Sequence, residues 1–239
     1  MFSLTCPVQN YAWGRVGEDS IIAQLKSVSD PVFRTGSTTP YAELWMGTHV
    51  SGPAKLADGS LLLDWLNGNP SAVGQVPAGY PADDLPFLFK ILSIRTALSI
   101  QSHPDKSLAA ELFATRPDIY KDPNHKPEMA IALTPFEAMC GFRPISEIQS
   151  YLHSYPELGV LVGGIDVLDS VSDSSTIDEK KAALKLLFRR FMDCTDDVAN
   201  AEIAKVVQRL SASGPSGSED EIFVQELVLR LNKYFPNDR

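Results

Sequence analysis

The sequence predicts an α+β chain, with a β-rich region over residues 1–144 followed by an all-helical region over 145–239. Two observations carry this reading. Before Pro144 the chain is rich in Pro, Gly, Trp and short apolar runs bounded by turn residues, as strands of a largely β domain are. After Pro144 apolar residues recur every three to four positions, the period of an amphipathic helix. With 44% hydrophobic and 21% charged residues over 239 positions, the chain can bury a substantial core.

In order along the chain, Ser20–Val28 reads as a short helix with Ser20 as its cap. Leu61–Leu66 reads as another helical turn or two. Leu85–Ile94 and Leu98–His103 are expected as strands, broken near Arg95 and Thr96. Asp105–Thr115 is expected as an amphipathic helix capped by Asp105, with Leu108, Leu112 and Phe113 on one face. Pro127–Leu133 and Phe136–Phe142 read as two further strands joined through Thr134 and Pro135. Beyond Pro144, Ser146–Leu152 starts a helix with Ser146 as the expected cap. Ile177–Met192 places Ile177, Leu184, Leu187, Phe188 and Phe191 on one stripe, with Lys and Arg opposite. Val198–Leu210 and Glu219–Tyr234 continue the pattern across a Ser/Gly/Pro loop at Ser211–Ser218. Asn232–Arg239 reads as the start of a connection.

The formal net charge of -9 argues against nucleic acid as a partner, which requires clustered positive charge, but leaves room for a small anion bound by a few local cations. Cys6, Cys140 and Cys194 form no CxxC pair and no disulfide framework, which favours a reducing compartment. The N-terminus has neither a basic flank nor a long apolar run, and no stretch reaches the length of a membrane span. A cytoplasmic protein without a membrane partner is the expectation.

The sharpest chemical feature is Ser99-Ile-Gln-Ser-His-Pro-Asp-Lys106. On a strand, Gln101 and His103 project from the same face, so that an imidazole nitrogen and an amide oxygen meet one ion. The run His125-Lys-Pro-Glu-Met129 follows, and Glu128 supplies a carboxylate that completes a mixed N/O set suited to zinc or another divalent first-row metal. The same residues also read as ordinary polar groups at a strand end and in a solvated loop.

The surrounding words give these residues a context. Tyr11-Ala-Trp-Gly14, Pro40-Tyr-Ala-Glu-Leu-Trp-Met-Gly-Thr-His49, Leu85-Pro-Phe-Leu-Phe-Lys90, Leu98–Lys106, Asn124–Leu133 and Cys140-Gly-Phe-Arg-Pro144 resemble the type I mannose-6-phosphate isomerases, in that family's order and close to its spacing. The resemblance spans most of residues 4–144, and the helical region matches the family's helical domain in position and length.

The resemblance implies a cupin-type (jelly-roll) catalytic β domain, incomplete here, followed by an all-helical domain, with the C-terminal remainder of the family architecture absent. It implies one zinc ion held by Gln101, His103 and Glu128, with a fourth ligand, a His, beyond the end of this chain. His49, His125 and His153 do not stand where that ligand falls. The family's catalytic Arg also lies beyond Arg239.

The implied reaction is reversible aldose–ketose interconversion of mannose 6-phosphate and fructose 6-phosphate through a cis-enediolate, feeding GDP-mannose synthesis, in a protein that is a monomer in its full-length form. Zinc acts as a Lewis acid, and a positioned acid/base group moves the proton between two carbons. By the same resemblance, Ser99, Lys90 and Lys126 are substrate-binding residues, and Lys90 and Lys126 are the catalytic candidates. Lys90 lies in an apolar run whose neighbours read as buried, whereas Lys126 reads equally as a surface ammonium and Ser99 as a plain strand hydroxyl. Glu43 and Trp45 are expected to be structural.

This chain by itself is expected to have little or no isomerase activity. The alternative is a truncated, non-catalytic product that acts at most as a weak metal- or partner-binding module. A metal-dependent oxygenase of cupin type ranks last, because the usual pair of histidines with a carboxylate is missing.

Overall fold

The computed structural model describes residues 2–76, 78–172, 174–236 and 238. The chain divides into two compact units, Met1–Leu98 and Ser99–Arg239.

The first unit is built on short antiparallel strands. β1 (Val8–Gln9), β4 (Glu43–Met46) and β5 (Phe89–Leu92) form one sheet in the order β1-β4-β5, while β2 (Arg15–Val16) and β3 (Pro40–Tyr41) pair separately. The β4–β5 register sets Trp45 opposite Lys90 and Glu43 opposite Leu92. Gly14 of the Tyr-Ala-Trp-Gly run sits where a Cβ would come within 2.7 Å of the Ala42 backbone, so the close approach of this turn to the start of β4 requires glycine.

Helix α1 (Ile21–Ser29) begins where expected. The Ser20 hydroxyl accepts a hydrogen bond from the Ile22 N–H at 3.2 Å and donates to the Tyr41 carbonyl at 2.8 Å, which ties the helix start to β3. Ile22 and Ala23 enter a core with Cys6, Tyr41, Leu44, Ala54, Leu62 and Leu66, the last two contributed by α2 (Leu62–Gly68). Lys26, on the same helix face, is also buried. It donates to the Cys6 carbonyl and pairs with Asp30 at 3.0 Å, so its charge is compensated inside the fold.

The second unit begins with a long exposed stretch interrupted by α3 (Lys106–Thr115), whose N-cap is Asp105, accepting from the Leu108 N–H. A helical cluster follows: α4 (Ile145–Ser154), α5 (Pro156–Leu161), α6 (Asp166–Asp169), α7 (Ile177–Asp193), α8 (Asp196–Ser213) and α9 (Glu219–Tyr234). Leu152, Val162, Leu168 and Leu187 form its buried centre. Thr176 with Glu179 and Ser218 with Glu221 make reciprocal capping boxes that start α7 and α9. Arg209 on α8 forks onto Glu157 on α5 through two hydrogen bonds of 3.0 and 2.8 Å. No helix among the described residues is long and apolar enough to cross a membrane.

Several local expectations are corrected. The strand expected over Leu85–Ile94 is confined to Phe89–Leu92, the residues that face β4, and Pro86 carries no N–H for a ladder. Leu98–His103, Pro127–Leu133 and Phe136–Phe142 are not strands. A strand needs a neighbour to take its backbone groups, and no described segment pairs with them. Most of their apolar side chains face outward, with Ile100 77% and Leu133 84% exposed, while Phe142 sets its ring against Phe188 of α7. On α3 the buried residue is Ala109, while Leu108 and Phe113 are exposed. Helix α4 starts two residues earlier than the expected Ser146 cap implies. Pro144, whose ring fixes φ, occupies the cap position and makes no side-chain capping bond. On α7, Leu187 is buried, but Ile177 and Phe188 are exposed.

Candidate metal centre

The His103 segment lies between Ser99 and the start of α3, and the Glu128 segment lies between α3 and α4. The structure brings these two side chains together. His103 Nε2 stands 3.4 Å from Glu128 Oε2, an imidazole nitrogen facing a carboxylate oxygen. Two donors each about 2.1 Å from one tetrahedral ion stand about 3.4 Å apart. The spacing and the N/O donor chemistry therefore fit a shared divalent metal, and zinc in particular. Equally, when the imidazole is protonated, the same spacing serves a His–Glu ion pair.

Gln101 is exposed in a stretch that is not a strand, so no strand face aligns it with His103. Among the described residues, no hydrogen bond joins Gln101 to His103 or Glu128. No group of three His, Cys, Asp or Glu capable of holding a metal occurs among the described residues either. The pair is also open to solvent, with the Glu128 side chain 70% and the His103 side chain 32% exposed.

Ser99 is exposed at the start of the same unit. Lys126 is exposed too, and its ammonium pairs with Asp122 at 3.3 Å, one helical-turn spacing back along the loop.

Lys90 belongs to the first unit, on edge strand β5. Its strand is not buried as its apolar neighbours suggested, for Phe89 and Leu92 are exposed. Instead the Lys90 ammonium is 3.2 Å from the Glu43 carboxylate and 4.9 Å from the centroid of the Trp45 ring. Glu43 and Trp45 are both buried, and the Trp45 indole N–H donates to the same carboxylate oxygen. Sequence reasoning passed over Glu43 as a partner of Lys90. The available signal was its position two residues before Trp45 in a strand-like run, which sets both on one sheet face.

The structure is a mixed one, a few short strands and loops followed by a helical cluster, and the family matches class it as a cupin-like catalytic domain with a helical domain. Residues 1–145 match the family model for the phosphomannose isomerase type I catalytic domain, and residues 165–239 match that for its helical insertion domain. The chain belongs to the type I phosphomannose isomerase family.

Among similar proteins, the Bos taurus mannose-6-phosphate isomerase is 41% identical over 245 residues, covering all of this chain and 57% of that protein. The Homo sapiens mannose-6-phosphate isomerase is 40% identical over 244 residues with the same coverage. A crystal structure of mannose 6-phosphate isomerase bound with zinc and yttrium superposes with a TM-score of 0.73 at 28% identity, over 99% of this chain and 57% of that one. Another, of the Salmonella typhimurium enzyme, is bound to its substrate fructose 6-phosphate and a zinc atom, again at 28% identity. The chain thus spans 57% of the length of these relatives.

Proposed function

We propose that the protein is a zinc-dependent isomerase of sugar phosphates, interconverting mannose 6-phosphate and fructose 6-phosphate. The observation that carries this reading is the His103–Glu128 donor pair at 3.4 Å in a chain of this family. Gln101, His103 and Glu128 are the ligands this chain would contribute. Zinc, when bound, supplies a fixed positive charge that polarises the sugar's carbonyl oxygen.

The chain's own groups do the rest. Lys90 and Lys126 offer ammonium charge to the phosphate, and Ser99 offers a hydroxyl to the sugar. From mannose to fructose, the isomerisation moves the C2 proton to C1 and the O2 hydroxyl proton to O1 through a cis-enediol, the reverse holding for fructose to mannose, and it needs no oxidant. A positioned base must take the carbon-bound proton and return it; Lys126 and Lys90 are the candidates, and whichever takes the proton acts as the neutral amine while the other serves the phosphate as ammonium. Lys126 pairs with Asp122 at 3.3 Å in a solvent-exposed ion pair, which a substrate phosphate can displace.

A second reading is favoured by the exposure of Glu128 and Gln101. On its own, this polypeptide is a weak metal-binding module whose open site lets water compete for the ion.

The test is conversion of fructose 6-phosphate to mannose 6-phosphate with zinc supplied, run on this chain and on one extended to the length of the relatives. Zinc-dependent turnover by the extended chain, abolished by a chelator, is expected, with at most weak turnover by the 239-residue chain. An extended, folded, zinc-loaded protein that leaves both sugar phosphates untouched would overturn the isomerase reading.

A further inference from the structure

The face of the β4–β5 ladder that carries Lys90 also carries Glu43 and Trp45. Trp45 is directly opposite Lys90, and Glu43 is its diagonal neighbour. Such cross-strand neighbours on one face are within reach of long side chains. Here the reach is realised: one oxygen of the Glu43 carboxylate takes both the indole N–H of Trp45 and the ammonium of Lys90. The ammonium lies over the Trp45 ring, whose negative face attracts a cation.

Two features separate this arrangement from ordinary packing. A buried indole N–H needs only an acceptor, which a neutral amide would supply as well as a carboxylate. Burying a carboxylate instead is costly unless a cation compensates it. The charge at Glu43 therefore serves Lys90 rather than the indole. Meanwhile the Lys90 side chain remains about one-third exposed (34%), so its charge is held in place yet reachable from solvent. A flexible lysine with a four-carbon stem loses much rotamer freedom on binding an anion, and a preset ammonium has already lost it.

We infer that Glu43 is a positioning residue: with the face of Trp45, it holds the Lys90 ammonium in a fixed orientation for the phosphate or hydroxyl oxygens of a sugar phosphate. This rests on the reading of Lys90 as a substrate group under the proposed function. Glu43 and Trp45 themselves act through Lys90.

The test follows the side-chain ammonium signal of Lys90 by nuclear magnetic resonance in lysine-labelled protein, assigned by its disappearance in Lys90→Met. In the native chain the signal should be displaced upfield by the Trp45 ring and slowed in proton exchange by the carboxylate. Glu43→Gln, which leaves the indole an acceptor, should return it to the position and exchange rate of a free lysine. Trp45→Phe retains a ring and the carboxylate, and should keep the signal slowed. A Lys90 signal unchanged in Glu43→Gln, or released in Trp45→Phe with Glu43 intact, would overturn the assignment of the hold to Glu43. Fructose 6-phosphate is then added. It should shift the native Lys90 signal and bind about tenfold more weakly to Glu43→Gln, with no further loss when Glu43→Gln is combined with Lys90→Met. A Lys90 signal that fructose 6-phosphate leaves in place removes Lys90 from the substrate site, whatever Glu43 does.

Discussion

Residues 43–46 and 89–92 carry short apolar, strand-like patterns, and so do residues 98–103 and 127–133. The first two segments lie side by side as β4 and β5, with Lys90 fixed against buried Glu43 and Trp45. The second two lie in the open. Met129, Ile131 and Leu133, an alternating set that would line one face of a strand, are 88%, 77% and 84% exposed. Alternation specifies which side chains share a face but carries no information about which segment will pair with it. The chemistry of the two regions differs for the same reason: the paired ladder presents a preset lysine, while the unpaired loops bring His103 and Glu128 together in solvent.

The largest way to break this contrast is to remove apolar volume from each region. Ile22 is fully buried beneath the first unit's sheet, and Ile22→Ala should destabilise that unit by about 2–5 kcal/mol. Trp13, Trp45 and Trp65, the chain's three tryptophans, all lie in this unit, so denaturant unfolding followed by tryptophan fluorescence reads it alone. Ile131→Ala, followed by circular dichroism, should change the stability of the second unit by no more than about 0.5 kcal/mol. Equal costs at the two positions would show that the Ile131 segment is packed after all.

A smaller effect is expected within the second unit, where an ion pair ties α5 to α8. Paired hydrogen bonds from Arg209 hold the Glu157 carboxyl below the usual carboxylate range. The folded value thus lies below the unfolded one. Its stabilisation is fully present above the ordinary glutamate range, about 4, and is lost as pH falls through the depressed folded value. Glu157→Gln should cost about 1 kcal/mol near neutrality, measured by the helical signal in denaturant. The gap between native and variant chains should close on acidification below about pH 4. A gap that stays constant down to pH 2 would mean that the pair does not titrate with the fold.

The helices were largely legible because each carries its own signals. Ser20 at α1, Asp105 at α3 and the Ser218–Glu221 box at α9 mark starts locally, and the 3.6-residue stripe marks a face. Which stripe residues find a partner is a tertiary matter, and so Leu187 is buried while Ile177 is not. The site was legible in part. The proximity of His103 and Glu128 agrees with the spacing of two words in the sequence, but the strand face meant to align Gln101 with them depends on pairing that no local pattern encodes. The hold of Glu43 on Lys90 escaped the sequence reading for the same reason, since it arises from the β4–β5 register.

Whether His103 and Glu128 serve as metal ligands or as a surface ion pair is decided by zinc titration of the purified chain beside His103→Ala. The native chain should take up one zinc ion. The variant should bind it at least about 100-fold more weakly, since losing even an outer partner of a ligand costs about 10- to 100-fold. Equal zinc affinity in a folded His103→Ala chain would contradict the ligand role and leave the 3.4 Å contact as an ordinary ion pair.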